Sequence, residues 1–254
     1  VDFDTLFIRR KSVRAYEDRP IEEAVRERVL EAILRAPSAG ALMLYSVLEI
    51  EEQALKEGLA ETCDHQPFIA RAPWVLIFLA DYRRMIDYFD HFGVMEWVDR
   101  TERRRSTPRE SDLLLASCDA LIAAQTAAMA AESLGLGSCY IGDIMENWET
   151  HRELLSLPRY TFPIAMLCLG YPTRQQRERH LTPRLPSSMV IMKNGYRRAS
   201  AAELETMYSG EGYDAFTPKN DIENAAQALY DRKFGAGFSE EMRRSVESML
   251  KDWS

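Results

Sequence analysis

The chain has 254 residues, 46% apolar and 28% charged, with 40 acids against 32 bases and a formal charge of −8. That balance excludes a disordered or collagen-like chain and disfavours a general nucleic-acid binder; the length allows one large domain or two small ones. Six of the bases are lysine and 26 are arginine. Arginine's planar donor fork suits phosphate or carboxylate, but GC-rich coding sequence gives the same skew, and both readings stay open.

In chain order, residues 21–35 predict an amphipathic helix. Ile21, Val25, Val29 and Ile33 recur every four residues, Leu30 and Leu34 widen the stripe, and Pro20, Glu22 and Glu23 suit its start. Ala36-Pro37 ends it. Residues 45–51 read as a strand. Residues 74–80 (WVLIFLA) are a short continuous apolar run, the mark of a strand buried on both faces. Residues 83–109 resist a core role. Their aromatics (Tyr88, Phe89, Phe92, Trp97) could cover a pocket, and the charged run from Arg100 reads as a solvated face. Residues 111–134 are the longest apolar stretch; Asp119, Gln125, Thr126 and Glu132 interrupt it, which predicts a buried helix and not a membrane span.

Gly135-Leu136-Gly137 stops that helix and leads into a short apolar run at 138–141. Residues 145–155 read as helix. Residues 162–170 (FPIAMLCLG) read as another buried strand, with Pro163 tolerable only near a strand start or at an edge. After Pro186 the chain turns polar and mostly helical. Thr217-Pro218 can start a helix carrying Ile222, Ala225, Ala226 and Leu229, and Met242, Val246, Met249 and Leu250 stripe the last one. This tail has too few apolar residues for a core of its own, so it is expected to wrap the main body or a partner subunit. A few buried strands among helices give an α+β layer fold.

Cys63, Cys118, Cys139 and Cys168 are scattered, and Cys63 with His65 lacks a matching second pair, so no metal site is expected. Such cysteines, with no signal-like amino terminus, predict a reducing, cytoplasmic setting. No G-x-S-x-G or H-E-x-x-H motif occurs.

Four segments could carry chemistry. Residues 9–16 (RRKSVRAY) put four cations and a hydroxyl within six residues, which suits phosphate or reads as an exposed basic turn. Residues 36–40 (APSAG) form a small-residue turn that admits a flat ligand or simply connects two elements. Residues 135–143 (GLGSCYIGD) bracket an apolar run with glycines; a helix precedes them, so they are not a dinucleotide fingerprint. Residues 182–186 (TPRLP) hold Arg184 between prolines.

In this order and spacing, the four segments together resemble the nitroreductase/flavin reductase family, nearest its oxygen-insensitive, NADPH-linked branch. The sharpest stretches are 10–14, AESLGLGSCYIG at 131–142, LCLGYP at 167–172 and PRLP at 183–186. The resemblance runs from about residue 6 to 186 and more loosely to the end. It implies a nitroreductase-like sheet flanked by helices, in an intertwined homodimer. Residues 1–186 would form the FMN-binding domain, and 187–254 a helical extension embracing the partner. FMN would lie at the interface, take hydride from NADPH or NADH, and pass electrons to flat acceptors: nitroaromatics, quinones or free flavin. Neither nucleic acid nor membrane is an expected partner.

The same resemblance assigns residues. Arg10, Lys11, Ser12, Val13 and Arg14 match the amino-terminal flavin motif. Ser38 matches a turn residue near ring and phosphate, and Gln66 an amide beside the flavin. Tyr140, Ile141, Gly142 and Asp143 match the segment whose backbone passes the ring, and Arg184 the phosphate-binding arginine. No acid–base side chain is required for hydride transfer between stacked rings, so none is assigned as catalytic. Three departures stand out. Ala41 and Met43 replace two amides, Thr182 replaces a lysine, and Asp143 replaces a glycine. A carboxylate at 143 would disfavour added negative charge and lower the flavin potential. Other reactions on the same cofactor, such as reductive dehalogenation or flavin breakdown, and a non-catalytic flavin-binding dimer remain open alternatives.

Overall fold

A computed structural model describes residues 2–208, 212–213 and 221–253. Four strands form one antiparallel sheet: β1 (Tyr45–Ile50), β2 (Trp74–Asp81), β3 (Gly137–Ile141) and β4 (Thr161–Gly170), in the order β1-β2-β4-β3. The two central strands, β2 and β4, are buried end to end, which is why both are continuous apolar runs. Pro163 lies near the start of β4, as its chemistry requires, although the strand is interior. β3 pairs with β4 only as far as Met166. On the other side the β2 register shifts, so that Leu79 faces Pro163 and Phe78 faces Ala165. Ile164 is the extra residue of this bulge, and the missing N–H of Pro163 falls where the ladder is interrupted.

The helices are α1 (Glu23–Leu34), α2 (Gln53–Thr62), α3 (Arg83–His91), α4 (Val94–Arg100), α5 (Glu110–Ser133), α6 (Trp148–Leu154), α7 (Arg174–Glu178), α8 (Ser187–Val190), α9 (Ala201–Thr206), α10 (Ala225–Leu229) and α11 (Gly237–Trp253). α5 is the core helix. Ala116, Ala120, Ala123, Ala124, Ala127, Ala128 and Ala131 are fully buried along one face, which lets it pack closely against α1 and the sheet. Its other face is apolar and exposed: Leu114 is 69% accessible, with Leu115, Leu121 and Ile122 beside it.

The helix expected over 145–155 is shorter and later. A single tight turn covers Asp143–Met145, Asn147 is left-handed (φ 49°), and α6 begins at Trp148. Thr217 and Pro218 lie outside the described residues; of the helix expected after them, α10 carries Ala225, Ala226 and Leu229, and Ile222 lies before it.

The described residues fall into two compact units. One runs to Arg179 and takes back the chain from Glu241 onward. Here α11 buries Ser245, Met249 and Trp253. Residues 241–253, inside the stretch expected to be extension, are therefore part of the first unit. The second unit is His180–Glu240. Two of its short helices are capped by side chains: Ser200 and Glu203 close a capping box on α9, and Asn224 accepts from Gln227 N at 3.0 Å on α10. Among its described residues only Ala228 is buried, while Ile191 (73%), Tyr196 (86%) and Leu204 are exposed.

Candidate functional site

The amino-terminal strip lies along the outer edge of β3. Ser12 bridges Ser138, and Val13 N donates to Ser138 O at 2.9 Å. Gly137 makes this approach possible: a Cβ there would sit 2.6 Å from Val13 Cγ2. Because Ser138 turns its carbonyl outward, the period of two turns the backbone groups of Tyr140 outward as well; Gly142 has left the strand, and its carbonyl accepts from Met145 N at 3.1 Å. Among the described residues no strand pairs with that part of the edge. A Cβ on Gly142 would meet nothing within 4 Å. Beyond the strip, the edge thus offers the backbone of Tyr140, whose carbonyl has Cys139 Sγ at 3.6 Å, next to the open space at Gly142.

Cations flank this edge. Arg10 lies near enough to Glu132 and Tyr140 to favour their charged forms, yet burial wins at both. The Glu132 carboxyl is raised, and the Tyr140 phenol is pushed up to about 12. Tyr140 therefore stays neutral, its hydroxyl donating to Gln125 Oε1 at 3.3 Å. Arg14 is exposed, with its guanidinium 5.9 Å from the Phe68 ring centre. Lys11 is engaged differently. Its ammonium donates to the carbonyls of Arg177 (2.7 Å) and Arg179, so it clamps the chain after α7. Arg179 returns a hydrogen bond to Ser12 O at 2.6 Å.

Gln66 comes to the same edge from the loop after α2. Its Nε2 donates to Cys63 O at 2.9 Å and to Asp143 Oδ2 at 2.6 Å. Two expected site residues, 77 positions apart, are thereby joined. Ile141 is buried as the last residue of β3 and serves packing; Asp143 opens the following turn.

Ser38 sits elsewhere, in the turn between α1 and β1. Its Oγ donates to Asp119 Oδ2 at 2.7 Å and accepts from Met43 N at 2.6 Å. Asp119 is 2% exposed and also accepts from Ala39 N and Leu44 N. This carboxylate holds a turn in which Gly40, Ala41 and Met43 are all left-handed. Asp119 and Arg179 are site-shaping residues missed in the sequence. A lone Asp among alanines was the available signal for the first; nothing local marks the second. Arg184 belongs to the second unit, where its guanidinium donates to Thr182 O and Pro183 O.

Residues 83–109 fold into α3, α4 and a loop. Phe89, Tyr82, Ile86, Met95, Pro108 and Tyr160 help line a cavity of about 240 Å³, while Tyr88, Phe92 and Trp97 are exposed.

A family model described as the nitroreductase family matches residues 8–171. The chain belongs to the nitroreductase family. Over 189 residues it is 34% identical to an oxygen-insensitive NADPH nitroreductase of Salmonella typhimurium, covering 74% of this chain and 71% of that one. It is 33% identical over 188 residues to an FMN reductase [NAD(P)H] of Bacillus subtilis, covering 73% and 71%. A crystal structure from Bacteroides fragilis superposes with a TM-score of 0.81 at 28% identity, covering 99% of this chain and 98% of that one. Within this nitroreductase-family chain, the matched residues include the amino-terminal strip, the Ser38 turn, Gln66 and the end of β3.

Proposed function

We propose that the chain is an NAD(P)H-dependent FMN oxidoreductase that works as a homodimer in the cytoplasm. It would pass electrons to flat acceptors: nitroaromatics, quinones or free flavin. One observation carries the cofactor assignment: beyond the amino-terminal strip the outer edge of β3 at Tyr140 meets no further strand among the described residues, with open space before Gly142 and with Arg10 and Arg14 close to the strand. A planar ring with hydrogen-bonding edges and a phosphate tail fits that combination. FMN, when bound, supplies the two-electron chemistry between nicotinamide and acceptor. The chain binds and orients it. Arg10 and Arg14 offer charge-assisted hydrogen bonds to anionic groups, and the backbone of Tyr140 and the Gln66 amide offer neutral ones. No side chain is assigned to proton transfer.

The homodimer reading is supported by apolar surface on each unit, the exposed face of α5 and the outward Ile191, Tyr196 and Leu204. Arg184 is assigned to the FMN phosphate on the family resemblance. The purified protein should be yellow, and NADPH or NADH should bleach it in anaerobic titration; a colourless chain that takes up no FMN would sink the proposal. Arg14→Ala and Arg184→Ala should each weaken FMN binding roughly tenfold to a hundredfold, the loss of one charge-assisted hydrogen bond.

A further inference from the structure

Gln66 is held by two groups that can only accept, a backbone carbonyl and a carboxylate. Its NH₂ must therefore face inward, and Oε1 is the atom it presents. No donor among the described residues engages Oε1. Cys63 O and Asp143 together fix which end of the amide faces out, and Asp143 is the side chain of the two. Behind Asp143, in the same tight turn, lies Glu146. It is 3% exposed, and its Oε1 is buried and receives no hydrogen bond.

We propose that Glu146 is held protonated behind Asp143 and braces it, which positions the Gln66 amide with its carbonyl outward and sets the charge beside the flavin. The flavin half of this inference rests on the function proposed above. Protonated Glu146 donates its O–H to the Asp143 carboxylate, and Asp143 accepts from Gln66. The charged groups known to face it are negative. Asp64 from the loop after α2 and Glu241 from α11 both face Glu146, and Arg244 is engaged by Glu241 and Glu149. His151 on α6 is buried and held neutral, and burial with the nearby carboxylates raises the Cys63 thiol. Burial first, then the negative neighbours, pushes the Glu146 carboxyl up to about 7. Glu146 gains its negative charge as pH rises through that value.

The full chain labelled with ¹⁵N tests the positioning half without any ligand. The Gln66 side-chain NH₂ signal should shift with pH at a midpoint of about 7. In Glu146→Gln that shift should vanish, and in Asp143→Asn the hydrogen-bonded proton signal should move toward free amide. The FMN-loaded protein tests the charge half. Its midpoint potential should fall more steeply with pH above about 7 in wild type, and the bend should be absent in Glu146→Gln. Thermal melting confirms that each variant is folded. A yellow protein whose Gln66 signal is flat in wild type would overturn the brace while leaving the flavin reading intact. A chain that shows the Gln66 titration but takes up no FMN would overturn the flavin reading and the charge half with it.

Discussion

Asp119 and Glu146 are both buried carboxyl groups, and their surroundings give them opposite characters. Asp119 accepts three hydrogen bonds, from Ser38 Oγ, Ala39 N and Leu44 N, so its charge is compensated where it stands. It also holds Ala41 and Met43 left-handed, at a cost of about 1–3 kcal/mol each. Asp119→Ala should destabilise the fold by roughly 3 kcal/mol in urea unfolding at fixed protein concentration, since the donors lose their acceptor and the turn its clamp. Glu146 has no donor at Oε1 and negative neighbours, so it holds a proton. Its folded value, about 7, lies above the ordinary 4.5. The folded state then binds more protons than the unfolded one across that window. The stability contributed by this group is full below 4.5 and falls as pH rises toward about 7. Comparing urea unfolding of wild type and Glu146→Gln at the two ends of the window isolates this effect from His151, whose depressed value weakens the fold in the acid direction. The variant should lose the decline.

At the scale of elements, the strip–β3 contact decides whether the site exists. Val13 packs directly over Gly137, and Tyr16 and Pro73 pack over Gly170. Tyr16 also ties the strip to β4 through its hydroxyl, which donates to Val13 O and lies 3.0 Å from Cys168 O. Gly137→Ala should push the strip off β3, costing about 1–3 kcal/mol by overpacking and weakening FMN binding with it. Val13→Gly in the same chain should restore part of that stability, because Val13 Cβ as well as Cγ2 lies under 3 Å from the added methyl. A double-mutant cycle in urea unfolding reads the coupling, and strict additivity would count against the contact. The elements themselves were largely legible. Strands β1, β2 and β4 and helices α1 and α5 fall within a few residues of expectation, because their apolar patterns were long and consistent. The 145–155 helix was not, because Met145, Trp148 and Leu155 preserve a helical stripe across a turn. The break at Asn147 is enforced from outside. Its side chain donates to Thr62 O at 2.8 Å, and its N–H to Glu241 Oε1 at 3.1 Å, groups 85 and 94 residues away.

At the scale of the molecule, α5 presents alanine to its own sheet and leucine to the outside. That asymmetry makes the exposed face the expected seat of a second copy. Leu114→Arg combined with Leu121→Glu should shift the protein toward monomer in sedimentation velocity and release flavin in parallel. A dimer that persists with flavin bound would move the interface elsewhere. The arginine excess also takes on meaning at this scale. Many arginines pair with acids on the surface, as Arg19 does with Glu22 and Arg197 with Glu203. Arg10 and Arg14 instead flank the open edge of β3.

By itself the sequence determined the α+β class, the buried strands, the alanine-rich core helix and the family, because hydrophobic period and motif spacing are local and survive without coordinates. It also carried the expected site residues, through motifs in register. Only the tertiary structure decided how those residues are used. Lys11 clamps backbone carbonyls, Ser38 answers to Asp119, and Gln66 is turned by Asp143. These are hydrogen bonds between residues 77 to 166 positions apart, and no local pattern encodes which partner a polar side chain meets once the chain has folded.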